Sequence, residues 1–335
     1  MLALVALIEG AIAARRDLAD PVAIEWRHRA GAVRGRGARA EVLGLGDSLA
    51  KYAIDAPALG RALGRPAANH AVLAAPAAAS YFALRDALDA GARPRLVVVS
   101  YAPFLLRPGY RLNRAFLPEI SGLGACLDLA RADADPALAG SLALARLVPS
   151  ARHRDPLRAA AGRRLGLGDP PPRPRTRRPD LWLPGRGGGD ESAYDCFYAD
   201  AWEPGPAHAG YVDRLMALAG AHGATVAWVM PPVAAPIRRE WAALGLDDRY
   251  GRFAADVLAR HANLVVVDGR ALPVGDADLR DPLHLNARGA AAFTARVAAA
   301  LGPGRPADAP RWVDLAATNP GADPGSLLGA AGRVQ

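Results

Sequence analysis

The chain has 335 residues, a formal net charge of +8 and a hydrophobic fraction of 51 %, enough for one large α/β domain or one domain with an insertion. The basic balance does not indicate nucleic acid, because the arginines are scattered and the densest cluster, "RPRTRRP" at 173–179, sits among prolines as a solvated linker would. The chain holds no P-loop, no G-x-G-x-x-G and no C-x-x-C, so the usual nucleotide and zinc signatures are excluded.

The first segment, "MLALVALIEGAIAARR", is apolar for about fourteen residues, fewer than the roughly 20 needed to cross a bilayer. Glu9 interrupts it, and Ala13-Ala14 is only a weak cleavage signal. It reads as a first helix, a shortened signal-anchor or a poor signal peptide. Membrane association through this segment follows as an expectation, with the cell envelope favoured over the cytoplasm. Residues 1–39 are set apart on this basis.

From residue 40 an α/β rhythm begins. "AEVLGLG" (40–46) reads as a short strand ending in glycine, and "APALGRALG" (56–64) as a helix with a glycine stop. "NHAVLA" (69–74) reads as a second strand. "AAASYFALRDALDAG" (77–91) has helical spacing with Gly91 at its end. "RLVVVSYAP" (95–103) is β-branched and continuous, as a strand buried on both faces should be.

Residues 104–205 break the rhythm. They hold helical pieces ("GLGACLDLARA", "PALAGSLALARLV", "PLRAAAGRRLG") and a Pro/Gly-rich run, so they read as a helical insertion capping the sheet. Six aromatics, Trp182, Tyr194, Phe197, Tyr198, Trp202 and Tyr211, crowd its end as a packed cap core or a stacking surface. The two cysteines, Cys126 and Cys196, leave one disulfide open without indicating it.

The rhythm resumes with "AHAGYVDRLMALAGAHG" (helix), "TVAWVMPPV" (strand), "RYGRFAADVLARHA" (helix), "LVVVDG" (strand) and "ARGAAAFTARVAAALG" (closing helix). The tail, 303–335, is Pro/Gly/Ala-rich and reads as draped or partly disordered. Alternating strands and helices imply a mostly parallel, doubly wound sheet with helices on both faces. Such sheets bind ligands beyond the carboxyl ends of their strands, which is where Ser48 of "GLGDSLA" falls.

A serine hydroxyl needs a base to act as a nucleophile, and the base needs a carboxylate to orient it. Of seven histidines, His284 stands out. It lies in "LRDPLHLNARGA", three residues after Asp281, in a loop between the last strand and the last helix. One loop can then present both side chains to the same cleft, stiffened by Pro282. The competing reading makes Ser48 a helix cap and Asp281 and Asn286 ordinary turn and cap residues.

"GLGDSLA" and "DPLHLNARG" resemble the first and last sequence blocks of the SGNH, or GDSL, hydrolase superfamily. The resemblance covers residues 40–103 and 206–302. It implies a flavodoxin-like three-layer α/β/α sandwich, Ser48 as nucleophile, Asp281 and His284 completing a triad, no cofactor and no metal. It also implies an oxyanion hole formed by the N–H of Ser48 and, within a residue, that of Ala74, which stands where the family has a glycine. The third block, G-x-N-D, is missing here. Asn113 from the insertion, or Ser100 or Tyr101 at the strand end, would have to replace its asparagine; otherwise the enzyme is slow or inactive.

Asp47, Lys51 and Tyr101 are candidate substrate contacts. Lys51 is the only lysine in the chain, three residues after Ser48, and suits an acidic substrate group. Three functions are consistent with these residues: a serine esterase or deacetylase acting on a small-molecule or saccharide ester, an acyltransferase serving a polysaccharide at the cell envelope, or a non-catalytic carbohydrate- or partner-binding module. No nucleic-acid partner is expected.

Overall fold

The computed structural model describes residues 2–14, 21–108, 117, 122–166, 202–302 and 311–317. They fall into two compact units, one of residues 1–31 with 111–175, the other of 32–110 with 176–335. The N-terminal segment therefore clusters with the insertion rather than standing by itself.

The first unit is helical. It holds α1 (Leu2–Ala14), most of α2 (Pro21–Arg34), α6 (Leu123–Ala132), α7 (Pro136–Leu147), α8 (Pro149–Arg152) and α9 (Arg154–Arg164). The three helices read from the insertion sequence are all present. Asp135 caps α7 by accepting from the Leu138 N–H at 3.0 Å. Glu9, the one charge in α1, accepts from the Ser150 N–H (2.8 Å) and hydroxyl (2.5 Å). Those two hydrogen bonds hold its carboxyl below the ordinary value. Among the described residues no helix is long and apolar enough to cross a membrane.

The second unit is an α/β/α sandwich. Its sheet contains β1 (Val42–Gly46), β2 (Ala67–Asn69), β3 (Leu96–Ser100), β4 (Thr225–Met230), β5 (Leu264–Asp268) and β8 (Trp312–Asp314), in the order β2-β1-β3-β4-β5-β8. Every pairing is parallel. Parallel strands covered on both faces need continuous apolar runs, and Val97, Val98, Val99, Val226, Trp228, Val266 and Val267 are all fully buried. Each such aliphatic side chain contributes about 1.5–3 kcal/mol by leaving water.

From β1 the chain runs through α3 (Ser48–Ala53) and α4 (Ala56–Leu63) to β2 on one side. It then returns through α5 (Ala77–Asp89) to β3 on the other. Right-handed crossovers in opposite directions place α4 and α5 on opposite faces. In keeping with this, α5 packs on α10 (Pro206–Ala221), and α4 on α13 (Ala287–Leu301). The reversal of direction opens a crevice between the ends of β1 and β3.

Two readings of the sequence need correction. The second strand is Ala67–Asn69, not 69–74. Its apolar continuation forms a loop fastened to β1 by His70 N–H to Gly44 O (2.8 Å) and Val72 N–H to Gly46 O (3.1 Å). The tail is also not merely draped, since Trp312–Asp314 adds a sixth strand beside β5. Two helices fill the stretch between β4 and β5, α11 (Ala235–Ala243) and α12 (Leu246–Arg260).

Gly46 ends β1 at φ 116°, and a Cβ there would lie 2.3 Å from the Ser100 carbonyl oxygen. The backbones of β1 and β3 approach too closely for any side chain. Gly46→Ala is expected to destabilise the protein by more than about 3 kcal/mol, through left-handed strain plus displacement of β3. Urea unfolding of the variant measures this, and a loss under about 1 kcal/mol would contradict the close approach.

Candidate active site

The turn after β1 divides the labour between two residues. Asp47 is the helix cap: its Oδ1 accepts from the Leu49 N–H at 2.8 Å. Ser48 is the first residue of α3, so its hydroxyl is not used for capping. It meets the His284 Nε2 at 2.8 Å instead.

His284 and Asp281 sit on a small antiparallel hairpin of β6 (Leu279–Asp281) and β7 (His284–Leu285), where they face each other in register. Asp281 Oδ1 accepts the N–H groups of Leu283 and His284, both at 3.0 Å, closing an Asx-type turn around Pro282 and Leu283. Both its oxygens lie 2.8 Å from His284 Nδ1. The Pro282 carbonyl accepts from the Ala234 N–H at 2.9 Å, tying the hairpin to the start of α11. Asn286 caps α13 through Arg288 and Gly289, and its Nδ2 donates to Ala277 O at 2.7 Å. Every polar residue of "DPLHLN" thus has a positioning job.

His284 is partly buried, its side chain 16 % exposed, and that of Asp281 is 29 % exposed. Burial by itself would raise the Asp281 pKa. The hydrogen bond and charge of His284, with the two backbone donors, outweigh it and hold the carboxyl below its ordinary value. The carboxylate therefore stays ionised and favours the Nδ1–H tautomer of His284, leaving Nε2 as an acceptor for the serine proton.

Asp47 and Tyr101 are not substrate contacts. Asp47 is fully buried. Its second oxygen accepts from the Ala102 N–H at 2.6 Å, bridging the ends of β1 and β3. Burial raises its pKa to about 7 against the pull of backbone donors including Ala102 and Leu49. Tyr101 is 1 % exposed, packed edge-on against Trp228, and burial raises its phenol pKa. Its carbonyl accepts from the Tyr250 hydroxyl at 2.6 Å, and that hydroxyl accepts from Trp228 Nε1 at 3.0 Å. Neither the Asp47 carboxylate nor the Tyr101 ring faces the cleft. Ser100 is fully buried as well. Asn113 lies outside the described residues.

Ala74 stands at φ 48°. That is the left-handed region, which glycine occupies without penalty and alanine does not. The Val72-to-Gly46 hydrogen bond brings this loop to the end of β1, two residues before Ala74. Asn69, beside it, is structural. Its Nδ2 donates to Ala50 O and Ile54 O, both at 3.0 Å, and its Oδ1 accepts from Ala71 N–H at 3.0 Å.

Sequence reasoning passed over Tyr52 and Arg280. The Tyr52 ring lies edge-on to His284 with centroids 5.0 Å apart. Arg280 and Lys51 both stack on Tyr52, at 4.4 and 5.0 Å from its centroid. For Tyr52 the spacing from Ser48 held a signal, since position i+4 shares a helix face with it; Arg280 had only its place beside Asp281. Of the six aromatics at the insertion's end, Trp202 and Tyr211 are buried core residues; the other four lie outside the described residues, as does Cys196. Cys126 is a free, buried thiol. Among the described residues no group of three His, Cys, Asp or Glu side chains could hold a metal ion. An open groove at the ends of β5 and β8, lined by Arg238, Asp247, Arg270 and Trp312, contains no member of the Ser48 cluster.

No protein-family model matches the chain, and no curated protein matches it.

Two outcomes follow from this geometry. Ala74→Gly should stabilise the protein by about 1 kcal/mol by relieving the left-handed alanine, read as a raised urea midpoint; a lowered midpoint would contradict the assigned backbone. Asp47→Asn turns an acceptor into a donor facing a buried N–H and should cost about 1–3 kcal/mol. Because the folded-state pKa is raised, the stability linked to Asp47 is full below about pH 4 and is lost as pH rises through about 7. The gap between wild type and Asp47→Asn should therefore narrow over that window in urea titrations.

Proposed function

We propose that the chain is a serine hydrolase of the SGNH type that cleaves carboxylic esters, with acetyl or short acyl groups on small molecules or saccharides as substrates. The observation that carries this reading is the continuous relay from Ser48 Oγ to His284 Nε2 at 2.8 Å and from His284 Nδ1 to Asp281 at 2.8 Å. The resemblance of the two sequence blocks that supply these residues supports it.

In this reading Ser48 Oγ attacks the ester carbonyl carbon while His284 Nε2 takes its proton. The carbonyl oxygen becomes an oxyanion, held by the N–H groups of Ser48 and Ala74. Ser48 N–H opens a helix and so has no acceptor within it. The left-handed turn at Ala74 is the kind of backbone that presents an N–H to a cleft. His284 then protonates the leaving alcohol. The acyl-serine is released when a water, deprotonated by His284, repeats the attack and the proton returns to Ser48. No side-chain oxyanion donor is identified among the described residues, and a missing donor typically lowers turnover by about 10²–10³-fold.

A fluorophosphonate probe should label the wild-type protein at Ser48, and Ser48→Ala and His284→Ala should abolish labelling. With a chromogenic acetyl ester, Asp281→Asn should lower kcat by about 10⁴-fold by losing the tautomer control. Folded wild-type protein that takes no label would rule out an activated serine.

A further inference from the structure

The large apolar side chains that stay exposed are not spread over the protein. Among the described residues all of them belong to the helical unit of residues 1–31 and 111–175, and none to the α/β sandwich. Four lie on α1 and two on the last turn of α7: Leu4 (60 %), Val5, Leu7 (71 %), Ile8, Leu144 and Leu147 (70 %). Single exposed hydrophobics are ordinary on a protein surface, whereas a clustered set marks a surface that something else covers.

The helical period places Val5, Glu9 and Ile12 on one face of α1 and Leu4, Leu7, Ile8 and Ala11 on the other. The first face is the one that meets the protein. α1 packs on α8, where Glu9 accepts from the Ser150 N–H (2.8 Å) and hydroxyl (2.5 Å). Glu9 and Ile12 are half-buried, and every other described side chain of α1 is exposed. Leu144 and Leu147 lie six and three residues before Ser150, so the exposed end of α7 adjoins the same contact.

Two observations say what covers this surface. A partner helix covers a stripe of about 100° and leaves polar flanks to water. α1 has no polar flank: apart from Glu9 it is Leu, Val, Ile, Ala and Gly throughout. Acyl chains cover an apolar surface of any outline. The second observation is charge. Residues 1–31 and 111–175 carry fifteen arginines against ten Asp and Glu, so this unit holds five of the eight net positive charges. Arg131, Arg146, Arg158 and Arg164 are exposed on α6, α7 and α9. A basic surface around an apolar one complements anionic headgroups around acyl chains.

We propose that α1 and the adjoining end of α7 dock the protein on an anionic phospholipid bilayer, with α1 lying in the plane of the interface. Glu9 sets that orientation. Its hydrogen bonds to Ser150 keep the carboxyl ionised. Threading α1 end-on through the bilayer would carry this charge and the start of α8 into hydrocarbon, which is costly. Lying flat immerses Leu4, Leu7, Ile8 and Ala11 and leaves Glu9 and Ser150 on the protein side. This inference does not depend on the ester-hydrolase reading.

The test is flotation of the whole chain with phosphatidylcholine vesicles, with and without phosphatidylglycerol. The protein is expected to float with the anionic vesicles, and the preference for them should shrink as salt is added. Leu4→Gln with Leu7→Gln should weaken binding about tenfold or more, and Leu144→Gln with Leu147→Gln about three- to tenfold. All four positions are exposed, and melting curves verify that the variants are folded. Orientation is read with a depth-sensitive fluorophore on Leu4→Cys or Ala11→Cys, in a chain carrying Cys126→Ala and Cys196→Ala. The two labels should report the same depth, whereas an end-on helix would separate them by about 10 Å. Equal binding of the two vesicle types, binding that survives both double substitutions, or labels at different depths would overturn the proposal. So would a wild type that ignores vesicles but sediments as a dimer that Leu4→Gln with Leu7→Gln dissociates, since the surface would then belong to a second copy of the chain.

Discussion

The site depends on one buried carboxylate. β1 and β3 are adjacent, but the chain leaves them in different directions, so nothing in the sheet ladder itself fixes the loops beyond their ends. Asp47 does so, with one oxygen on the Leu49 N–H at the start of α3 and the other on the Ala102 N–H just past β3. The peptide between Tyr101 and Ala102 is held from both sides, its N–H by Asp47 and its carbonyl by Tyr250. Trp228 then fixes Tyr250 from β4. A polar chain thus runs through the protein interior from the middle of the sheet to the first turn of α3. Unmade hydrogen bonds are costly in such surroundings, which makes the arrangement specific as well as stable. Gly46 is the steric half of the same device, since only a residue without Cβ lets β1 come so close to Ser100.

With the cap assigned to Asp47, the hydroxyl of Ser48 is left to His284. The His284 hairpin is rigid for independent reasons: an Asx-type turn, a proline, a backbone tie to Ala234 and the Asn286 cap of the following helix. Two separately braced segments, more than two hundred residues apart, therefore meet with hydrogen-bonding geometry already in place. In the proposed hydrolase, such preorganisation would lower the entropic cost of aligning Ser48 with its base. The alanine at position 74, at φ 48°, is a further strained backbone position, in the loop that follows the end of β1.

Much of this was legible in the sequence because the signals are local. "GLGDSLA" and "DPLHLNARG" each contain their own turn chemistry, and the continuous valine runs identify the buried parallel strands. What escaped was set by tertiary contact. The strand Trp312–Asp314 is three residues among Pro and Gly, and it forms because the edge of β5 offers it a backbone ladder. Residues 70–74 look like a strand, but their backbone turns to follow the end of β1. Asp47 and Tyr101 were placed on the cleft by their nearness to Ser48 and to the end of β3. Their burial depends on Ala102, Tyr250 and Trp228, whose proximity no local pattern encodes. The contacts of Tyr52 with His284 and Arg280 likewise need the β6–β7 hairpin to be docked against α3. The grouping of residues 1–31 with the insertion is a long-range pairing of the same kind.

The most direct test of the account is to trap the acyl-serine. Wild-type protein would be mixed with 4-nitrophenyl acetate, quenched in acid and digested, and the peptide that spans residues 40–51 examined by fragmentation mass spectrometry. That peptide contains both Ser48 and Lys51, the only lysine in the chain, so fragmentation must separate the two positions. The account predicts one acetyl group on Ser48, present in the wild type and absent when His284 is replaced by alanine. Consumption of the ester with no acetyl on Ser48, or with the acetyl confined to Lys51, would contradict a nucleophilic serine at this site.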